Sequence, residues 1–142
     1  MNIAGMPATG YETVGDIVGT HMSQYHFQAD VSSVVMDMLS DHTSMAPVVN
    51  NEGHLVGLIG EVEILNTLRV GRDIGKLKVG EIMNPDRTHL VTEQTAISEA
   101  LRLFQDTELS ILPVIRNGKV IESITRHDLI RAMSGAGLGV EK

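Results

Sequence analysis

The sequence contains no cysteine and no tryptophan, and only 3% of its 142 residues are aromatic. Without cysteine the chain cannot form disulfides, use a thiolate nucleophile or build a cysteine-based zinc site. Because aromatic rings are scarce, the core has to be aliphatic and built from Val, Ile, Leu and Met. These absences exclude disulfide-stapled and thiol-dependent classes of protein.

Basic residues are also few, since 11 Lys and Arg stand against 18 Asp and Glu, giving a formal net charge of −7. Proteins that neutralise nucleic-acid phosphates need a surplus of cations, so we expect no nucleic-acid partner. No apolar run approaches the roughly 18 residues of a membrane-spanning helix, and residues 1–10 lack the pattern of an export signal. We therefore expect a cytoplasmic protein that has no membrane partner.

An internal repeat organises the chain. Three segments recur, at residues 13–18 and 78–83, at 30–39 and 95–104, and at 44–49 and 110–115. The first two pairs are separated by 65 positions and the third by 66, after which the separation returns to 65. Both length changes fall in loops, where insertions are tolerated. The chain is therefore a duplication, and we call its halves the first and the second copy.

Each copy predicts the order strand, helix, strand, strand, helix. Residues 30–39 place apolar side chains at helical spacing, with Asp30 as the candidate N-cap. Short β-rich runs joined by glycine-containing turns predict a hairpin in each copy, and a second helix follows it. Met36 and Leu101 widen the apolar faces of their helices beyond the roughly 100° that one core requires, which indicates a second buried surface. Met36, Met38 and Met45 are otherwise interpreted as core filler.

Glycine and charge mark the boundaries of the copies. The stretch 70–76 carries two glycines and several charges, which favours a connector, and the glycine-rich end of the chain is not expected to continue a helix. We predict a flexible N-terminal segment at 1–12, the first copy at 13–70, a linker at 71–78, the second copy at 79–134 and a flexible tail at 135–142.

Four short motifs occur in the same order in both copies. The second copy has Val-Gly-Glu-Ile-Met at 79–83, Leu-Pro-Val at 112–114, Asn-Gly at 117–118 and Thr-Arg-His-Asp at 125–128. The first copy has the related phrases at 14–18, 46–48, 52–53 and, as Gly-Glu-Val-Glu, 60–63. This order resembles the pair of cystathionine-β-synthase (CBS) domains called a Bateman module. The resemblance implies an α+β fold in which two pseudo-symmetric βαββα repeats pack through their small sheets into one compact module.

The resemblance also implies a nucleotide site in the cleft between the copies, with AMP, ADP, ATP or S-adenosylmethionine as candidate ligands and no required cofactor. Family members hold the nucleotide with the Thr/Asp phrase of one copy and the opening segment and proline strand of the other. Carried over, the site pairs Thr125 and Asp128 with Asp16, Thr20, His21, Ser44, Met45 and Pro47. Ser110, Arg126 and His127 are candidate neighbours of the phosphate. The second copy departs from the family at Glu122, where glycine is usual.

Two roles are open for the Thr125 phrase. At the start of a helix, exposed N–H groups and the positive end of the helix dipole attract a phosphate, and the Asp128 carboxylate can accept hydrogen bonds from ribose hydroxyls. The same spacing is also a capping box, which satisfies only the backbone of the helix itself. In the first copy, Gly60 has no hydroxyl and Glu63 is one methylene longer than Asp. We therefore expect that second site to be empty or weak.

The six histidines show no spacing typical of a metal site or a catalytic site, since the sequence has no His-Glu-x-x-His helix and no Gly-x-Ser-x-Gly elbow. We expect neither a bound metal nor an enzyme. The leading hypothesis is a regulatory module that senses an adenosyl ligand, associates as a homodimer and signals to an unidentified regulated protein. The alternative is a ligand-free module for dimerisation or docking.

Overall fold

A computed structural model describes residues 12–17 and 24–134. In this part of the chain the elements are β1 (Tyr25–His26), α1 (Val31–Asp41), β2 (Met45–Val49), β3 (Leu55–Gly60), α2 (Glu61–Arg69), α3 (Val79–Ile82), β4 (Val91–Thr92), α4 (Ile97–Asp106), β5 (Ile111–Arg116), β6 (Lys119–Thr125) and α5 (Arg126–Met133). The predicted α+β class is confirmed. The predicted strand, helix, strand, strand and helix occur in each copy, and the opening motif of the second copy additionally folds as α3, which was not predicted. No helix among these is long and apolar enough to cross a membrane.

The described residues pack into two compact units that do not coincide with the two copies. The first-copy unit contains residues 24–89 and 117–120, and the second-copy unit contains 12–17, 90–116 and 121–134. The opening segment of each copy thus packs in the unit that the rest of the other copy forms. The predicted boundaries of the copies describe the linear repeat, whereas the compact units exchange these opening segments.

In the first-copy unit, β2 is the central strand of a three-stranded sheet. It pairs parallel with β1, where Tyr25 lies opposite Val48, and antiparallel with β3. Helices α1, α2 and α3 contribute to the buried core, which consists of Val31, Val34, Val48, Ile59, Ile64, Leu77 and Val79. Because Leu77 lies in the predicted linker, part of that linker is anchored in the core, and its carbonyl accepts a hydrogen bond from the backbone N–H of Val31.

The second-copy unit repeats this topology with the strand order β4, β5, β6. Val91 lies opposite Val114 in the parallel pair, which is the Tyr25–Val48 pair of the first copy moved by 66 positions. Helix α4 also begins 66 positions after α1, at Ile97 against Val31, so the match of residues 30–39 with 95–104 at an offset of 65 is wrong by one residue. The extra residue of the second copy lies before β4, because the offset is already 66 at the parallel strand pair. The buried side chains include those of Val14, Val91, Ile97, Ala100, Phe104, Ile124 and Leu129.

Helix α1 begins at the predicted position, with Asp30 at its N-cap. The Asp30 carboxylate makes no capping hydrogen bond and instead pairs with the Lys78 ammonium group at 2.6 Å. Met38 packs against the core and Met45 is buried, as expected of core filler. Met36 is 68% exposed, so it does not fill this core. The reason is its position on the helix, off the stripe that faces the sheet.

The hairpin of the second copy turns at Asn117 and Gly118, whose φ angles are 53° and 82°. Both residues therefore adopt the left-handed conformation. Asn-Gly is the preferred pair for a two-residue turn of this kind, because its twist matches that of the flanking strands. The turn predicted from the glycine is present and brings β5 and β6 together.

Gly57 on β3 lies where the main chain of the second copy's opening motif approaches the sheet. Leu58 and Asn84 exchange two backbone hydrogen bonds, of 3.1 and 2.8 Å, and a Cβ added at Gly57 would lie 2.9 Å from the Asn84 carbonyl oxygen. That distance is too short for a real carbon atom, and the obstacle is backbone, which cannot rotate away. Glycine at this position therefore permits the close approach.

We expect Gly57→Ala to lower the free energy of unfolding by about 1–3 kcal/mol, because the added carbon forces the Asn84 segment off β3. Urea denaturation of both proteins measures the change. The matched control is Ser33→Ala, at an exposed position of α1, which should stay within about 0.5 kcal/mol of the wild type. Equal stability of the Gly57 variant and the wild type would contradict the close approach.

Candidate ligand-binding site

The junction between β6 and α5 carries the Thr-x-x-Asp phrase, and both of its side chains face the helix backbone. The Asp128 N–H donates to Thr125 Oγ1 at 3.0 Å, and the Thr125 N–H donates to Asp128 Oδ2 at 2.9 Å. This is a complete capping box, in which each residue satisfies a backbone group that the first turn of the helix leaves unpaired. The capping role is therefore present in the structure.

The Asp128 carboxylate is 0% exposed, and its second oxygen accepts a hydrogen bond from Arg131 Nη1 at 3.2 Å. The buried charge is thus compensated on both oxygens. Because the Asp128 carboxylate is fully buried, a ribose hydroxyl reaches it only if neighbouring side chains, such as the partly exposed Arg131, move aside.

The three candidate neighbours of the phosphate lie in different surroundings. The Arg126 guanidinium donates to the backbone carbonyls of Phe104 and Thr107, at the end of α4, and lies 6.0 Å from the centre of the Phe104 ring. It therefore caps α4 through carbonyls that a helix leaves unpaired, and it is engaged away from the start of α5. His127 is exposed on the first turn of α5, and Ser110 is half-buried immediately before β5.

Asp16 lies in the same unit as the Thr125 phrase and closes the turn of the opening segment. Its Oδ2 accepts hydrogen bonds from the backbone N–H groups of Glu12 and Thr13, at 3.0 and 3.1 Å. These two donors, first that of Glu12, hold the pKa of the Asp16 carboxyl below its ordinary value. The candidate residues Thr20 and His21 lie outside the described residues.

The opening segment is held to β4 and α4 by the main chain. The backbone N–H groups of Val14 and Gly15 donate to the carbonyls of Thr95 and Glu93, both at 2.8 Å. The Glu93 carboxylate in turn makes a bidentate pair with Arg116, and this hydrogen-bonded cation lowers the pKa of the Glu93 carboxyl. Sequence reasoning did not identify this pair, because its residues belong to no motif.

The equivalent junction of the first copy, between β3 and α2, is closed by its own backbone. The Ser44 carbonyl accepts a hydrogen bond of 3.0 Å from the Glu61 N–H, and Glu63 Oε1 accepts one of 2.7 Å from the Gly60 N–H. A Cβ at Gly60 would lie 2.9 Å from the Ser44 carbonyl oxygen, so a threonine cannot take its place without moving the backbone. The longer Glu63 side chain caps the helix as Asp128 does.

Met45 is buried on β2, and Pro47 lies on the same strand opposite Leu58 of β3. The parallel pairing with β1 begins one residue later, at Val48. Although β2 is the central strand of its sheet, Pro47 precedes the part of the strand that pairs with β1. The missing backbone N–H of proline therefore costs no hydrogen bond to β1. Ser44, Met45, Pro47, Gly60 and Glu63 belong to the first-copy unit, whereas the Thr125 phrase and Asp16 belong to the second-copy unit.

Other chemistry-bearing groups are scattered. Within residues 12–17 and 24–134, no three His, Asp or Glu side chains gather in an arrangement that could hold a metal ion. One further polar side chain, Ser123 on β6, is 1% exposed and was not among the residues predicted for the site. The signal that could have identified it is its place in the repeat, because residue 58, its counterpart 65 positions earlier, is leucine.

Comparison with known proteins identifies the repeat. The family model described as the CBS domain matches residues 12–70 and 79–135. The mitochondrial CBS domain-containing protein CBSX3 of Arabidopsis thaliana is 31% identical over 100 residues, which are 67% of this chain and 48% of that protein. An arabinose 5-phosphate isomerase of Pseudomonas aeruginosa is 23% identical over 116 residues, 81% of this chain and 35% of the enzyme. The chain thus spans half or less of these curated relatives.

The fold is similar to that of CBSX2, a CBS-pair protein of Arabidopsis thaliana. The crystal structure of CBSX2 in complex with AMP superposes with a TM-score of 0.72 and 25% sequence identity, and the match covers 94% of this chain and 100% of that chain.

We expect the Asp16 carboxyl to titrate below the value that it has in the urea-unfolded protein, because two backbone N–H groups stabilise its charged form. Because the pKa of this carboxyl is lower in the folded than in the unfolded protein, the carboxylate stabilises the fold at pH values above the unfolded pKa. This contribution to the free energy of unfolding is lost as the pH falls below about 4. Carboxyl carbon NMR of folded and unfolded protein measures both midpoints. Identical midpoints would contradict the capping geometry, and Asp16→Asn identifies the resonance.

Proposed function

Because the chain belongs to the CBS domain family and carries that domain twice, we propose that it is a regulatory module that binds an adenine nucleotide or a related adenosyl ligand. Occupancy of the site changes how the module packs with a regulated protein. The module binds its ligand without turning it over and needs no cofactor. A cytoplasmic location and the absence of nucleic-acid and membrane partners remain predictions from the sequence.

The observation that carries this proposal is the complete Thr125–Asp128 phrase at the start of α5, in the same unit as Asp16. The N-terminus of a helix suits a phosphate, because its first-turn N–H groups and the positive end of the helix dipole point there, and the adjacent carboxylate suits a sugar hydroxyl. The likeness to CBSX2, which has been crystallised in complex with AMP, supports an adenosyl ligand. Thr20, His21, Ser44, Met45, Pro47, Ser110, Arg126 and His127 remain candidate contacts.

We propose one strong site per chain. At the start of α2 the Ser44 carbonyl already takes the Glu61 N–H, and the close packing at Gly60 leaves no room for a side-chain hydroxyl. A carbonyl oxygen in this place repels the phosphate that the helix terminus would otherwise attract. The junction containing Gly60 and Glu63 is therefore the weak or empty site of the pair.

The alternative function, a ligand-free docking module, is favoured by a specific observation. Asp128 is fully buried, and its oxygens are bonded to Thr125 and Arg131, so the phrase is satisfied without a ligand. Both functions require that this junction be stable, but only the first requires Asp128 to contact a ligand. Variants of Asp128 therefore separate them.

We expect Asp128→Ala to weaken AMP binding at least about tenfold, because charge-assisted hydrogen bonds to the ribose are lost. AMP at about 100 times its dissociation constant adds roughly 2.7 kcal/mol to the free energy of unfolding of the wild type. This raises the melting temperature by several degrees. The variant should lose most of this shift and should also lose about 1 kcal/mol of apo stability with the cap. Calorimetric titration and melting curves of both proteins measure these effects.

The matched control is Glu63→Ala, which removes the corresponding cap at α2. It should lower apo stability by a similar amount and keep the melting shift on AMP addition. If Asp128→Ala keeps the full shift, the residue is only a cap. If no adenosyl ligand shifts the wild type at millimolar concentration, the docking module is the correct function.

We also propose that the chain forms a homodimer through its helices. In the first-copy unit, the exposed apolar residues of α1 and α2 are Met36, Leu39, Val62, Leu65 and Leu68, and in the second-copy unit Ile130 and Met133 are exposed on α5. An apolar groove lies between the two helices of each unit, with volumes of about 570 and 720 Å³. Apolar surface of this extent on a small protein marks an interaction site.

We expect Leu65→Glu to shift a dimer toward monomer in sedimentation equilibrium, because a charge would be buried in the interface. Leu65 is 63% exposed, so the fold of one chain should tolerate the change. The matched control is Leu90→Glu, at an exposed apolar residue outside the helices, which should leave association unchanged. A wild type that sediments as a monomer at high micromolar concentration would contradict the homodimer.

A further inference from the structure

The apolar grooves between the helices of the two units are lined by equivalent positions of the repeat. We call the groove between α1 and α2 the first groove and the groove between α4 and α5 the second groove. Val35, Met38 and Ile64 line the first groove, and their counterparts Leu101, Phe104 and Leu129 line the second. A chain with two such surfaces can pair with a second chain in two ways, like groove with like groove or first groove with second groove.

One position reverses its charge between the two grooves. Glu61 begins α2 and lines the first groove, and Arg126 begins α5 and lines the second groove. With histidine taken as neutral, each is the one charged side chain among the described residues that line its groove. A charge that loses its water on association needs a counter-charge, so a groove with one carboxylate is complementary to a groove with one cation.

Arg126 is positioned at the second groove and retains donors for a carboxylate. Its guanidinium lies 6.0 Å from the centre of the Phe104 ring, which forms part of the groove wall. Its hydrogen bonds to the carbonyls of Phe104 and Thr107 are both donated by Nη2. A guanidinium has five N–H donors, so these contacts leave Nε and Nη1 for a group from another chain.

The helices around the grooves differ in net charge in the same sense. Helices α1 and α2 carry the acids Asp37, Asp41, Glu61 and Glu63 and the base Arg69. Helices α4 and α5 carry the acids Glu99, Asp106 and Asp128 and the bases Arg102, Arg126 and Arg131. Two acidic helix pairs in contact repel each other, whereas an acidic pair against a balanced pair does not. The charges therefore disfavour contact of one first groove with another.

We propose that the first groove of one chain pairs with the second groove of a second copy of the chain, so that Glu61 faces Arg126 across the interface. This inference rests on the proposed homodimer and goes beyond it by naming the orientation of the two chains. In a dimer with two-fold symmetry each contact occurs twice, so both chains contribute to the same ion pair. Pairing of like grooves would instead bring Glu61 toward Glu61 and Arg126 toward Arg126.

The absence of cysteine allows the pairing to be determined with single-cysteine variants. Leu65→Cys in the first groove and Ile130→Cys in the second are matched, because both positions are 63% exposed and they are equivalent in the repeat. The two variants, one of them carrying a mass tag, are mixed, allowed to exchange subunits and treated with a short bis-maleimide. We expect cross-linked dimers in the mixture and none in either variant alone.

Pairing of like grooves predicts the opposite result, in which each variant cross-links with itself and the mixture gives no mixed product. The control is Leu90→Cys, at an exposed position outside the helices, which should cross-link with neither variant. Self-cross-linking of the groove variants overturns the inference. A wild type that sediments as a dimer while the groove variants cross-link in neither arrangement also overturns it, because the grooves then lie outside the interface.

Charge reversal tests the ion pair itself. We expect Glu61→Arg to raise the dissociation constant of the dimer at least about tenfold, because like charges then meet across the interface. Adding Arg126→Glu to that variant should restore the association of the wild type. If Glu61→Arg associates as the wild type does, the inference is wrong. A wild type that sediments as a monomer is a separate failure, because it contradicts the homodimer and not only its orientation.

Discussion

The fold depends on main-chain hydrogen bonds that hold the opening segment of each copy in the compact unit of the other. The N–H groups of Gly15 and Gly80 donate to the carbonyls of Glu93 and Phe27, at 2.8 and 2.7 Å. A Cβ at either glycine would lie 3.0 Å from the same carbonyl oxygen, so any larger residue would push the two main chains apart and lengthen these bonds. Since each unit needs a segment from the other copy, neither copy has its complete unit within its own residues.

Because both units exchange their opening segments in this way, they have the same architecture. The differences between them lie at the strand-to-helix junctions. In both units an acidic side chain three residues into the helix accepts a hydrogen bond from the backbone N–H of the capping residue. The first-copy junction combines Gly60 with the close approach of the Ser44 carbonyl, and the second-copy junction combines Thr125 with a shorter carboxylate. The two units therefore share one architecture and differ in the residue that begins the last helix, a glycine in one and a threonine with a side-chain hydroxyl in the other.

The same divergence extends along the last strand of each sheet. Gly57 and Leu58 of β3 accept a neighbouring main chain and fill the interior, whereas Glu122 and Ser123 of β6 bring a charge and a hydroxyl to the equivalent positions. Apolar grooves lie between the helices in both units.

The sequence by itself determined the α+β class, the element order, the hairpins and the position of the helix starts. These features depend on local spacing and turn chemistry, such as Asn117-Gly118, and on the repeat, although the structure moves the offset of the first helix of each copy from 65 to 66. Only the tertiary structure decided which unit each opening segment joins and that the Ser44 carbonyl closes the α2 junction. Likewise, only the structure showed that Asp128 is buried against Arg131 and that Ser123 is almost fully buried on β6. The physical reason is that burial and close backbone approach arise from contacts between residues far apart in sequence, and a motif records only its neighbours along the chain.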